Sequence, residues 1–413
     1  MDQKDITITV AHDGGNGFMK DQINDQRFIY PSVIARVFAG QEPETIEAND
    51  TEQIEKVLKS VTSSMDITVQ SKSIHINGRY FVGAKAQLAS FAPIEFNVYS
   101  NEGKSQSDIS LISLFSLISY YEISKSFAEN KVLPSSLNVV VDKMVTALPI
   151  DEIKLKGVKE TYAKRFTDNS HIIIVNNFSQ PITVNLSFKD VEVQPEGVIA
   201  ANGLVADSKN CLEARDDGIF DEINVEYGKK FTGLDVLHSC NILGIDVGDG
   251  TIDFAVTSHQ STIPTLNSSV FLGVGNAIEN AIQALHQTYP SIGKINRQAF
   301  MKIAISDNTK QGQVYRQFLD AQLVMLEQQI SEQVKTIYRA LNGQIGFIFI
   351  CGGGAVVLKQ HFKDSFKKII DENSPFGSAP ILWVSDKYAQ TLNLDGLALR
   401  LSWLQYNYAQ QEK

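Results

Sequence analysis

Apolar positions recur with two periods along the chain and divide it into alternating strands and helices. Ile6 to Ala11 alternates and is rich in β-branched residues, which predicts a strand. It runs into His12-Asp13-Gly14-Gly15-Asn16-Gly17, which reads as a tight turn. Phe28 to Ile34 resumes extended structure, with Pro31 marking an edge or an end. Residues 40–66 are acidic and polar and predict a surface excursion, while Ser73 to Val82 reads as a hairpin turning on Asn77-Gly78. From Ser107 to Phe127, Ile109, Ile112, Leu114, Phe115, Leu117, Ile118 and Tyr121 keep helical spacing and predict a long, largely buried helix.

Asn138 to Leu148 reads as a buried strand ending at Pro149, followed by one helix from Asp151 to Arg165. Strands follow over Ile172–Val175 and Ile182–Val193. Residues 207–238 carry many charges and glycines without a period, so they read as a long loop or insertion. Asn241 to Val247 is a strand into a second glycine turn, Gly248-Asp249-Gly250, and Thr251 to Thr257 leads out of it. Helices are expected at Asn276–Gln287 and Gln313–Asn342, the latter long and amphipathic. Gly346 to Ile350 is a short buried strand that strikes Cys351-Gly352-Gly353-Gly354, and a closing helix runs from Leu394 to Tyr408. Strands interleaved with helices imply an α/β fold.

Composition narrows the class. The 413 residues suit two or more domains, and 43% hydrophobic with 20% charged residues is an ordinary globular balance. No run approaches the ~18 apolar residues of a membrane span, and Met1 to Asp5 is polar. The expectation is a cytoplasmic protein with no signal peptide and no membrane partner. Three scattered cysteines fit a reducing compartment, and the seven histidines form no H-x-x-x-H pair that would suggest zinc. A net charge of −10 and a pI near 5.3 argue against binding nucleic acid across the whole surface. Binding through an adaptor stays open.

The chemistry gathers in an internal repeat. Ile8 to Gly17 lines up in register with Asn241 to Gly250: each is a strand, an Asp, then x-Gly-(Asn/Asp)-Gly and an outgoing strand. A duplicated hairpin suggests two similar domains facing each other across a cleft. Glycines bring backbone N–H groups close to an anion. An Asp at a strand end would repel phosphate unless a cation stood between them, so Asp13 and Asp246 make sense as holders of Mg²⁺. The plainer reading is a pair of ordinary Asn-Gly and Asp-Gly hairpins. Gly352-Gly353-Gly354, after a buried strand, allows a flat ring or a ribose to lie on the backbone.

These three pieces, in this order, resemble the superfamily of actin, sugar kinases and heat-shock chaperones. Asp13-x-Gly15-Asn16-Gly17-x-x-Lys20 is similar to the first phosphate loop of actin, with Lys20 at the position that reaches the phosphates. Asp246-x-Gly248-Asp249-Gly250-Thr251 is similar to the second phosphate loop, and Gly352-Gly353-Gly354 to the adenosine motif. Val145-Thr146-Ala147-Leu148-Pro149-Ile150-Asp151-Glu152 resembles the connecting strand and helix of the ParM/StbA plasmid-partition actins. There the resemblance implies that Glu152 positions the attacking water. Leu394-Asp395-Gly396-Leu397-Ala398 is similar to the second connecting helix, where small residues let the domains hinge. His12 departs from the pattern, standing where an apolar strand residue is usual.

The resemblance implies an actin-like fold: two duplicated α/β domains around a nucleotide cleft. Domain I would cover 1–155, with a variable part near 35–95 and helix 390–413 packing back on it. Domain II would cover 156–389, with a variable part near 280–345. It further implies ATP, or alternatively GTP, with Mg²⁺ held through water by Asp13 and Asp246, and hydrolysis coupled to filament assembly. The filament is a self-partnership, and plasmid DNA would be a cargo held through a DNA-binding adaptor protein. A sugar-type kinase and a non-polymerising nucleotide-binding protein on the same fold are the alternatives. Gly103-Lys104-Ser105 ends like a P-loop but lacks the glycine that begins one, so it reads as a polar loop before the long helix. Lys363, Lys367 and Lys368 form a basic helical face, read as solvated or as a contact for a neighbour or an adaptor.

Overall fold

The computed structural model describes residues 5–89, 93–96, 103–259 and 261–411. Met1 to Lys4 of the polar start, and residues 412 and 413 of the expected closing helix, lie outside the described residues. The chain divides into two compact units, Met1–Pro195 with Leu394–Lys413, and Glu196–Asn393.

In the first unit the elements are β1 (Ile6–Gly14), β2 (Phe18–Ile23), β3 (Gln26–Pro31), β4 (Val33–Arg36), α1 (Thr51–Lys59), α2 (Val61–Ser64), β5 (Asp66–Gln70), β6 (Gly78–Val82), α3 (Ala84–Gln87), β7 (Ile94–Glu95), α4 (Asp108–Asn130), β8 (Ser136–Leu148), α5 (Ile150–Ile153), α6 (Val158–Thr167), β9 (His171–Val175) and β10 (Ile182–Pro195). They form one ten-stranded sheet in the order β3-β2-β1-β8-β10-β9-β5-β6-β4-β7. At its centre β1, β8 and β10 run parallel, so their C-terminal residues Gly14, Leu148 and Pro195 end at one edge. The unit extends past residue 155 because β9 and β10 are sheet partners of β8 and β5.

α4 packs its apolar length on this sheet with Leu111, Leu114, Phe115 and Ile118 fully buried. Ser107 caps it by accepting from Ile109 N. Its buried Ser116 and Ser119 are satisfied by donating to the carbonyls of Ile112 and Phe115, at 2.6 and 2.8 Å. The C-terminal helix Leu392–Gln411 belongs to this unit from Leu394 onward. There Arg400 grips Glu192 of β10 with two bonds of 2.7 and 3.0 Å, and Arg27 holds the buried Asp395 at 2.6 Å.

Three expectations need correction here. Residues 40–66 contain α1, capped by Asp50 on Gln53 N and burying Ile54 and Leu58 one turn apart. Ile54, Val57, Leu58 and Val61 keep helical spacing, a signal that the surrounding acidic and polar residues masked. The hairpin expected at Asn77-Gly78 pairs β5 with β6 instead, and Asn77 closes the connecting loop through Ser71 N and O. The helix expected from 151 to 165 is split into α5 and α6 by Gly157, whose φ of +81° is left-handed and ends helical winding.

The second unit contains α7 (Val198–Val205), α8 (Asp221–Tyr227), α9 (Gly233–Leu237), β11 (Asn241–Val247), β12 (Ile252–Ser258), β13 (Ser261–Thr262), β14 (Ser268–Val270), α10 (Val274–Thr288), α11 (Arg297–Ser306), α12 (Lys310–Ala340), β15 (Phe347–Cys351), α13 (Gly353–Asn373), β16 (Ile381–Trp383) and α14 (Asp386–Ala389). Its sheet runs β13-β12-β11-β15-β16, with β14 on β12, and β11, β15 and β16 are parallel. α12 buries Tyr315, Leu319, Leu323, Leu326, Ile330, Val334 and Ile337, a helical stripe that joins the core of α10 and α13.

The 207–238 stretch is not a loop. Ile219, Phe220, Ile223, Phe231 and Val236 from α8, α9 and their flanks form a core with Phe347, Phe349 and Leu382 of the sheet. Helices of five to seven residues make fewer than two turns, too short for a period to emerge. The basic face of α13 meets α8: Lys363 bonds Glu226 at 2.7 Å, Lys359 pairs with Glu222, and Lys367 lies over the Tyr227 ring. Among the described residues no helix is long and apolar enough to cross a membrane.

Candidate functional site

In the first unit Asp13 ends β1 directly across from Lys20 on β2, and Lys20 Nζ donates to Asp13 Oδ2 at 2.8 Å. Gly15, Asn16 and Gly17 form the tip between these strands. Ser32 steadies that tip from below, donating its hydroxyl to Gly15 O and its N–H to Gly17 O. Asp13 is buried while the lysine head is partly accessible, so the carboxylate presents the ammonium at the hairpin.

His12, the departure from the pattern, has a physical role on the opposite face of β1. Its Nδ1 lies 2.5 Å from Asp21 Oδ1, and Tyr30 donates to Asp21 Oδ2 at 2.7 Å, so one buried chain of bonds crosses β1, β2 and β3. Burial, then the charge of Asp21, pushes the Tyr30 hydroxyl well above the ordinary tyrosine range, so it stays a donor. Tyr162 of α6 is pushed up to about 12, chiefly by burial.

Glu152 lies in α5 and bonds the segment that leads into α4. Its Oε1 accepts from Ser105 N at 2.6 Å, and Gly103 lies against its carboxylate. Arg165 fixes the same turn from α6, donating to Ser105 O, Ser107 O and Ser73 O. Gly103-Lys104-Ser105 is thus a short helical turn leading into α4, with Glu152 as its anchor.

The second unit repeats the hairpin with different supports. Asp246 ends β11 and is 8% exposed, and Gly248 N closes the turn on Thr251 O at 2.8 Å. The tip, Gly248-Asp249-Gly250-Thr251, lies on the start of α10: Val274 N donates to Gly248 O and Gly275 N to Asp249 O. Arg297, at the start of α11, donates to Asp249 Oδ2 at 2.6 Å. A side chain at Gly275 would collide with both partners of that pair.

Gly352, Gly353 and Gly354 arrive beside Asp246, because Cys351 of β15 is its register partner. Gly352 has φ +88°, and a Cβ there would strike Asp246 Oδ1 and Val247 O, so no other residue fits. Gly353 opens the 21-residue α13, whose N-terminal N–H groups favour an anion. The structure therefore brings Asp246, the second tip and the triple glycine together within one unit, at the C-terminal ends of parallel strands.

Sequence reasoning missed three residues here. Arg297 holds Asp249. Asn393 donates from Nδ2 to Asp246 Oδ2 at 2.6 Å. Glu196 follows β10 and is only 5% exposed. A signal for Glu196 existed: Pro149 follows β8 and Pro195 ends β10, and an acid comes soon after each, Glu152 and Glu196. Nothing in the local sequence marks Arg297 or Asn393.

Mg²⁺ prefers one or two carboxylates with water and phosphate oxygens. Among the described residues no three His, Cys, Asp or Glu side chains are grouped to hold a metal alone. Asp246, at a strand end with one oxygen fixed by an amide, fits an ion that a ligand's phosphates would complete. Asp13 is paired with Lys20.

Two α/β units, each carrying a strand-Asp-x-Gly-(Asn/Asp)-Gly hairpin, define the actin fold. Comparison with solved structures agrees over nearly the whole chain. The actin-like protein Alp7A is 15% identical with a TM-score of 0.68, covering 98% of this chain and 100% of that one. ParM in a 15-stranded filament from Clostridium botulinum is 17% identical, with a TM-score of 0.62 and coverage of 95% and 98%. Bacillus thuringiensis ParM with ATP is 12% identical, with a TM-score of 0.56 and coverage of 97% and 99%. The family model for the archaeal actin homologue MreB-like, C-terminal, matches residues 244–364. No curated protein matches the sequence.

Proposed function

We propose that this protein is a nucleotide-dependent, polymerising ATPase of the actin type. The observation that carries the reading is the duplicated hairpin, each with its aspartate buried at the end of a parallel strand. Support also comes from the relatives, one solved as a filament and one with ATP. The ligand is ATP, with GTP as the alternative. Gly15, Asn16 and Gly17 in one tip, and Gly248, Asp249, Gly250 and Thr251 in the other, are its phosphate contacts. Gly352, Gly353 and Gly354 take the nucleoside side. Mg²⁺, when bound, neutralises charge on the phosphates. Asp246 is its nearer carboxylate through water, and Asp13 contributes chiefly by presenting Lys20. Two carboxylates compete to orient the attacking water, Glu152 and Glu196. Burial at the strand end favours Glu196. The chain's partner is itself, in a filament. Plasmid DNA held through a DNA-binding adaptor is the cargo that the ParM/StbA resemblance suggests.

Sedimentation with and without ATP, paired with phosphate release, tests this reading. Pelleting that requires ATP is expected. A protein that stays in the supernatant and forms ADP only when a sugar is supplied, its phosphoryl group passing to the sugar with no free phosphate released, would replace it with a kinase. Lys20→Ala is expected to weaken ATP binding by roughly 10-fold or more while leaving adenosine binding within about twofold, since a charged bond to phosphate contributes about 1.5–3 kcal/mol. Equal losses for ATP and adenosine, measured by calorimetry, would assign Lys20 to the hairpin's folding instead.

A further inference from the structure

Glu196 is the first residue of the second unit and Asn393 its last, so the chain passes between the units at these two points. One side chain joins both points to Asp246. Asn393 Nδ2 donates to Asp246 Oδ2 at 2.6 Å, and Asn393 Oδ1 accepts from Gly197 N at 3.3 Å. The partners orient the amide unambiguously, because a carboxylate only accepts and a backbone N–H only donates. Gly197 in turn precedes α7 as its cap, and Val198 N donates to Glu196 O at 2.8 Å, so the Glu196-Gly197 turn is a defined structure. Gly352 stands on the other side of the Asp246 carboxylate, close to Oδ1. The carboxylate is therefore fixed between a donor amide and a glycine that only its own shape allows.

We propose that Asn393 is a positioning residue for the nucleotide site, an inference that rests on the functional reading above. Its amide sets the Asp246 carboxylate in the orientation that meets the metal–phosphate ion. The same amide ties that carboxylate to the turn bearing Glu196. Only an amide at this distance does both. Aspartate would set one carboxylate against another, and an aliphatic side chain would leave Asp246 Oδ2 and Gly197 N without this partner. The sequence separation of 147 residues means that no local structure substitutes for it.

The test measures ATP affinity of the full chain by calorimetry while Mg²⁺ is titrated, and again in EDTA. Loss of a group that orients a metal-facing carboxylate typically lowers metal affinity ~10–100-fold. For Asn393→Ala the Mg²⁺ concentration giving half of the tight ATP binding should rise by that factor. Affinity for ATP in EDTA should stay within about threefold of wild type. Asn393→Leu keeps the side chain's volume and carries the same comparison if the alanine variant does not fold. An unchanged Mg²⁺ half-saturation overturns the proposal. So does an equal loss in EDTA, which would make Asn393 a scaffold residue. If the wild type itself shows no Mg²⁺-assisted ATP binding, the functional reading fails first and this inference falls with it.

Discussion

Asp246→Asn should reduce phosphate release by about 10³-fold while the protein stays folded. The estimate follows the loss of one preorganised electrostatic contact to a reacting phosphate, typically ~10²–10³ in rate, with the metal's anchor weakened as well. Asparagine preserves the shape and can still accept from Asn393 Nδ2, so the bond of 2.6 Å has a successor. The charge is removed, and one acceptor oxygen becomes an NH₂ donor. Asp246→Ala is expected to have the same kinetic effect with an added structural one. It strands the Asn393 amide, a loss of about 1–3 kcal/mol, which lowers the melting temperature by roughly 2–10 °C for a unit of this size. The two variants together separate charge from packing. Phosphate release at the wild-type rate in Asp246→Asn would reduce Asp246 to a turn residue and undo the assignment of the whole second hairpin.

Glu196→Gln should slow hydrolysis ~10²–10⁴-fold, the range for losing a positioned general base, while ATP still binds and filaments still assemble. The amide keeps the volume of a side chain that is 5% exposed. Filaments of this variant should persist after ATP is depleted, whereas wild-type filaments should fall apart. Light scattering at limiting ATP, run beside a phosphate-release assay, reads both effects. Glu152→Ala is the paired measurement. Its carboxylate holds Ser105 N, so its removal is expected to loosen the turn at 103–107 and change hydrolysis by less than about tenfold. The opposite pattern, with Glu152→Ala stalled and Glu196→Gln at the wild-type rate, would return the water-orienting role to Glu152.

These two carboxylates show where reading the chain stops. Both follow a strand and a proline, and adjacent residues do not tell them apart. What separates them is burial: Glu196 is enclosed at the end of β10, and Glu152 is half-exposed against another segment's backbone. His12 shows the same limit from the other side. Its departure from an apolar pattern pointed to uncertain packing, and the structure supplies Asp21 on the neighbouring strand as its partner, itself held by Tyr30.

The sequence by itself determined the features written in neighbouring residues. The two hairpins, the triple glycine, α4, α10, α12 and the central strands all follow from turn chemistry and from apolar periods. The short helices α8 and α9 escaped because five to seven residues cannot display a period. Only the tertiary structure decided which polar side chains meet. Arg297 reaches Asp249 across 48 residues and Asn393 reaches Asp246 across 147. The reason is physical: a period or a turn is a property of one stretch of backbone. A hydrogen bond between distant residues exists only once packing has brought their elements together and removed the water that would otherwise satisfy them.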